Sequence, residues 1–253
     1  MEVSEHLAFL AAEGELLAAA ATDVDLDTPV ATVPDWPLRD LVRHLGGIHR
    51  WAATTIRDAR QSRYDTTLLE VVGRWPDDAE LVAWFRSGHA ALLATLRDAD
   101  PDLDCWYFFA APTPIAFWAR RQTHETAIHR ADAQSCSGTI APFAPELAVD
   151  GIEEILYGFA ARPYEFPIDP PPRVRLRATD VNREWVLALG PERVDVLDDA
   201  TADSTDVDCT VAARASDLYL FLWNRVVPDT VDVTGDVRAL SSWRDVVQVR
   251  WRE

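Results

Sequence analysis

In the stretch RRQTHETAIHRAD, residues 120–132, two histidines and a glutamate lie close enough along the chain to share one metal ion if the segment is helical. The adjacent His124 and Glu125 invite comparison with the zinc motif H-E-x-x-H, whose histidines are four apart on one helical face. Here the second histidine comes one residue late. At about 100° per residue, His124 and His129 point roughly 140° apart and cannot both reach one ion. Glu125 and His129, by contrast, are four apart, so their side chains stand one above the other. A third ligand must come from another helix, and VPDWPLRDLVRHLGGIHRW, residues 33–51, offers His44 and His49. These two again diverge by roughly 140° and compete. His44 falls beside the apolar stripe of Leu41, Leu45 and Ile48, which aims it at a bundle interior.

Two imidazoles and one carboxylate leave a tetrahedral ion one open position, the arrangement that catalytic zinc sites use for water or substrate. Fe(II), Mn and Ni accept the same ligand set. Asp132, three residues beyond His129, is placed to orient an imidazole, and Arg121, four residues before Glu125, to hold the carboxylate or an anionic substrate. A Glu-x-x-x-His pair also arises on helices that bind no metal. His49 and His124 read as surface residues or as supports behind the ligands, and His6 and His89 have no partner at ligand spacing.

The elements that must position these residues are helices. From residue 2 to about 160 the apolar positions recur at helical spacing, with Pro, Asp and Thr at the breaks, as in an antiparallel bundle. Four main helices are expected, over roughly 3–21, 37–62, 77–98 and 114–134. A shorter one is expected at 145–160. Five prolines between Pro163 and Pro172 then forbid a helix and mark the expected boundary between a bundle, 1–162, and a second domain, 173–253. Beyond it, 174–179, 183–189, 193–198 and 208–213 alternate apolar and polar residues as half-buried strands do. A helix at 215–225, a strand at 230–235, a helix at 236–243 and a last strand at 246–251 complete the pattern. The alternation is too irregular for a doubly wound sheet, so the expected class is α+β.

The 42 acidic residues against 24 basic ones give a formal charge of −18, which would repel a phosphate backbone and makes nucleic acid an improbable partner. The first 25 residues lack a basic leader, and Glu13 and Glu15 interrupt their apolar run, so an amphipathic helix is expected rather than a signal peptide. No apolar stretch is long enough for a membrane span. Cys105, Cys136 and Cys209 are odd in number and far apart, in no C-x-x-C pair. A reducing cytoplasm is the expected location.

The stretch VPDWPLRDLVRHLGGIHRW resembles the first signature of the mycothiol-dependent maleylpyruvate isomerase family: a Trp, a short helix entry, then a His in the second helix. RRQTHETAIHRAD resembles the second, an Arg-rich lead into H-E-x-x-x-H-R-x-D. The resemblance implies a DinB-like four-helix bundle that holds a divalent metal, usually zinc, through His44, Glu125 and His129. DLYLFLWNR and VTGDVRALSSW resemble the family's small α+β, sterol-carrier-protein-like C-terminal domain. The resemblance further implies mycothiol as cofactor and a catalytic role for Arg225, which closes DLYLFLWNR; a guanidinium suits a dicarboxylate because it binds carboxylate in a bidentate fork. In that family Asn224 is replaced by a small Gly or Ala. None of the three cysteines lies in the site motifs, so such an enzyme would borrow its sulfur.

The expected function is a metal- and mycothiol-dependent cis–trans isomerase or S-transferase acting on a small electrophile. The alternative is a non-enzymatic metal-dependent sensor or carrier of an apolar ligand. A third reading, a thiol-independent metal hydrolase, needs a nearby general base, for which His124 is the adjacent candidate. Small molecules are the expected partners, and the oligomeric state stays open.

Overall fold

A computed structural model describes residues 1–33, 35–63, 66–163, 170–190, 192–197 and 207–247. The chain divides into two compact units, Met1–Ala141 and Pro142–Arg252. Among the described residues no helix is long and apolar enough to cross a membrane.

The first unit is built on four long helices, α1 (Val3–Asp23), α2 (Leu38–Arg57), α4 (Asp78–Asp98) and α5 (Pro114–Ser135), with a five-residue helix α3 (Leu68–Val72) between α2 and α4. α1 packs on α5 and α4, and α2 packs on α4 and α5. α1 is rich in alanine, the strongest helix former. Its buried residues Leu10, Gly14, Leu17, Ala18 and Ala21 recur every three or four positions. α5 starts where Thr113 Oγ1 accepts the Ala116 N–H at 3.1 Å and Pro114 takes the first turn, where its missing donor is not needed. α3 was not expected, yet a capping box writes it. Glu70 N–H bonds Thr67 Oγ1 at 3.2 Å, the Glu70 carboxylate takes the Thr67 N–H at 2.8 Å, and Gly73 at φ 78° ends the helix.

α5 has no apolar stripe, and still residues 121–133 are all buried. Its polar side chains are accommodated because they pair. Arg130 Nε donates to Glu13 Oε2 on α1 at 2.7 Å, and Thr123 Oγ1 reaches the His6 carbonyl at 2.9 Å. Glu13, which interrupts the apolar run of α1, is therefore an inward partner rather than a solvated residue. Where α1 crosses α4, Gly14 lies under the His89 ring, and a Cβ there would overlap the imidazole. Replacing a mid-helix glycine by alanine gains up to about 1 kcal/mol of helix propensity. Overpacking a filled core costs about 1–3 kcal/mol. Gly14→Ala should accordingly lower the urea midpoint, and a raised midpoint would show that His89 yields.

The second unit begins with α6 (Pro145–Glu154), which continues into a π-helical turn at Ile155–Phe159. The division at Ala141–Pro142 falls ahead of the proline-rich stretch expected as the boundary, so α6 belongs with this unit. There Phe143 N–H donates to Ser216 Oγ at 2.9 Å, and the Phe143 ring packs edge-on against Tyr219 at 5.1 Å. The sheet contains β1 (Arg173–Ala178), β2 (Arg183–Leu189), β3 (Val194–Leu197), β4 (Cys209–Ala213) and β5 (Asp232–Gly235), in the order β3-β2-β1-β4-β5. β1 and β4 run parallel, and the other pairs are antiparallel. Along β4 Cys209, Val211 and Ala213 are buried while Thr210 and Ala212 are less so, the alternation of a half-covered strand.

α7 (Ala215–Leu222) follows β4, and α8 (Arg238–Val246) follows β5. The expected strand at 230–235 starts only at Asp232, after a 3₁₀ turn at Pro228–Thr230. Of the expected last strand, Val246 ends α8, and 248–251 lie outside the described residues. Helices beside a mixed sheet, after a helical bundle, make the chain α+β.

Candidate metal centre

α2 and α5 pack against each other, and polar side chains meet between them, His44 with Glu125 and His49 with Thr126. His44 follows the fully buried Leu41 and precedes the fully buried Leu45 on α2, and is itself 6% exposed. Glu125 and His129, 2% and 0% exposed, come from successive turns of α5. His44 Nε2 is 3.6 Å and His129 Nε2 3.4 Å from Glu125 Oε1, too long for good hydrogen bonds. The buried Glu125 Oε1 accepts no hydrogen bond. One donor atom from each residue lies within 4.8 Å of the other two. Bonds of about 2.1 Å around a tetrahedral ion put neighbouring ligand atoms about 3.4 Å apart. The three side chains therefore fit a common divalent ion.

Glu125 and His129 are each held from behind. Arg121 Nη2 donates to Glu125 Oε2 at 2.7 Å, which leaves Oε1 facing the two imidazoles. Asp132 Oδ2 lies 2.9 Å from His129 Nδ1, and Thr32 Oγ1 donates to Asp132 Oδ1 at 2.5 Å. With the proton on Nδ1, the Nε2 lone pair of His129 faces Glu125. Arg121 and Asp132 thus each contact the α5 residue one helical turn away. Trp36 stands against His44, with ring centroids 4.9 Å apart at 57°. Spacing gives Thr32 no role, since nothing in it connects a loop before α2 with Asp132, a hundred positions later.

The charges respond to this packing. Burial alone would push the Glu125 carboxyl upward, but the close imidazoles of His129 and His44 and the Arg121 charge outweigh it and hold the group well below the usual carboxylate range. For His129, burial would disfavour the cation, yet Asp132 and Glu125 overcome it and raise the imidazole above its ordinary value.

The other histidines are placed differently. His49 and His124 are both fully buried, so neither is a surface residue. His49 Nε2 bonds Thr126 Oγ1 at 2.9 Å, its ring lies 5.1 Å from His89, and burial drives its pKa well down. It serves as a neutral core residue. His124 meets His6 edge-on at 6.2 Å. Polar helices conceal such burial from a pattern of apolar residues, because hydrogen bonding substitutes for apolarity.

The three thiols are free, and burial pushes each of them up, Cys209 to about 11. None belongs to the cluster of His44, Glu125 and His129. Arg225 lies in the second unit just past α7, half-buried, where its Nη1 donates to the Trp223 carbonyl at 3.0 Å. Asn224 sits at φ 59°, with Asn224 N–H on the Phe221 carbonyl and Arg225 N–H on the Leu220 carbonyl, the left-handed helix end that glycine or asparagine tolerates.

Comparison with known proteins agrees with this architecture. Residues 7–134 match the family model of the mycothiol maleylpyruvate isomerase N-terminal domain, and residues 146–242 match that of the MDMPI C-terminal domain. No curated protein sequence matches the chain significantly. The crystal structure of a histidine-to-alanine mutant of the mycothiol-dependent maleylpyruvate isomerase is similar with a TM-score of 0.68 at 14% identity, over 94% of this chain and 95% of that one. A further structure of the mycothiol-dependent maleylpyruvate isomerase gives 0.65 at 13% identity over the same shares. At such identities the likeness shows the fold. The two family models together span both units, and the chain belongs to the mycothiol-dependent maleylpyruvate isomerase family.

Proposed function

We propose that this protein is a metal- and thiol-dependent enzyme that isomerises, or transfers a thiol to, a small electrophilic substrate. The observation that carries the reading is the convergence of His44, Glu125 and His129 donor atoms inside a helical bundle. Zinc suits two imidazoles and a carboxylate, and such a set leaves an open position. When bound, the ion would supply the positive charge that lowers a thiol pKa, and mycothiol would supply the sulfur nucleophile. The chain's own residues do the rest. Arg121 fixes the carboxylate, Asp132 keeps a proton at His129 Nδ1, and burial of all three ligands excludes bulk water. The protein thiols are no substitute, because burial keeps them protonated at neutral pH. Arg225 is assigned to a substrate carboxylate through its place in DLYLFLWNR, as a bidentate donor.

The test incubates zinc-loaded protein with mycothiol and maleylpyruvate, and in parallel with mycothiol and an alkylating electrophile. Thiol-dependent appearance of the trans isomer identifies an isomerase, and a new carbon–sulfur bond identifies a transferase. Either activity should vanish in His44→Ala. Absence of both activities together with no mycothiol binding overturns the reading in favour of a non-enzymatic metal protein.

A further inference from the structure

The loop between α1 and α2 reaches the metal centre by two routes. Thr32 bonds Asp132, which bonds His129, and Trp36 packs on His44. The loop is fastened where it does so. Val30 N–H bonds the Trp36 carbonyl, and Leu38 and Arg39 N–H bond the Thr28 and Leu26 carbonyls, each at 2.9 Å. Val30 is 2% exposed and anchors the loop in the core.

We propose that Thr32 is a positioning residue of the metal centre: its hydroxyl sets the Asp132 carboxylate so that Oδ2 receives His129 Nδ1–H, which turns His129 Nε2 toward Glu125 and His44. The proposal rests on the reading of that cluster as a metal site. A hydroxyl 2.5 Å from a carboxylate oxygen forms a charge-assisted bond, stronger than one between neutral groups. With Oδ1 committed to Thr32, Oδ2 is left to the imidazole. The order Thr32–Asp132–His129 fixes a ring rotation that α5 by itself does not, because an Asp three residues from a His has several rotamers. Contacts one step removed from a metal are worth about 10–100-fold in affinity.

The test compares Thr32→Val, which keeps the shape and loses the donor, with Thr32→Ser, which keeps the donor. Zinc affinity is measured by competition with a chromophoric chelator. The Nδ1–H signal of His129 is followed by ¹⁵N–¹H spectroscopy in the metal-free protein. Acting one step beyond Asp132, Thr32→Val should weaken zinc binding by up to about 10-fold and speed exchange of the His129 Nδ1 proton with water, and Thr32→Ser should restore both. Should the wild type bind no zinc while the proton signal still depends on the hydroxyl, the metal reading falls and the positioning role stands. Unchanged affinity and unchanged exchange in Thr32→Val overturn the proposal, as does a Thr32→Ser variant as impaired as Thr32→Val.

Discussion

Glu125→Gln should lower affinity for a divalent ion by more than about 100-fold, beyond the roughly 10–100-fold attached to supporting contacts. Glu125 presents one oxygen to Arg121 at 2.7 Å and the other to His44 and His129 at 3.6 and 3.4 Å. A carboxylate satisfies both sides at once. An amide has one oxygen only, so it must turn an NH₂ either to the guanidinium, where donor meets donor, or to the ion, where no lone pair is offered. The same change removes the negative charge opposite Arg121, which is 3% exposed. Breaking a buried pair from one side costs about 3–5 kcal/mol, because the remaining charge stays out of water. The retained amide oxygen places the loss near the lower figure, about 3 kcal/mol. Chelator competition reads the first effect, and urea unfolding of the metal-free protein reads the second. Wild-type affinity in Glu125→Gln would mean that the ion, if bound, sits elsewhere.

The sequence and the structure agree most closely where periodicity is strong. α1, α4 and α5 begin and end within two residues of the spans expected from spacing and breakers. β1 to β4 were legible because a sheet covered on one face alternates its side chains. The shared face of Glu125 and His129 was legible because a four-residue step on a helix has one geometrical meaning. Other features rest on contacts that no local pattern encodes. α2 ends at Arg57 rather than near 62. α3 depends on a four-residue capping signal with no periodicity behind it. The unit boundary follows from Phe143 meeting Ser216 and Tyr219, more than seventy residues later. His49, His124 and Glu13 are polar and buried, a state set by their partners. Thr32 belongs to the same class, since its role exists only once α5 lies beside the loop.

Metal binding should release a proton, and should tighten by about tenfold for each unit that the pH rises toward the raised pKa of His129. Without the ion, Asp132 and Glu125 keep that imidazole charged above its ordinary value of 6.5, and an ion must displace the proton to reach Nε2. The same shifts fix the stability of the metal-free protein. His129 has a folded pKa above its unfolded one, so its contribution is full below about 6.5 and is lost as pH rises through the folded value. Glu125 has a folded pKa well below its unfolded one, so its contribution is present above about 4.5 and is lost as pH falls through the folded value. Metal-free stability from this pair should peak between those two limits. The metal-loaded protein holds His129 deprotonated at Nε2 and escapes the loss at high pH. The gap in Tm between loaded and metal-free protein should therefore widen as pH rises until the raised pKa is passed, through the loaded form below about 6.5 and through the metal-free form above it, and calorimetry in buffers of different ionisation enthalpy should count about one proton released per ion. A gap independent of pH, with no proton released, would mean that the imidazole is already neutral and that the Asp132–His129–Glu125 chain does not hold charge.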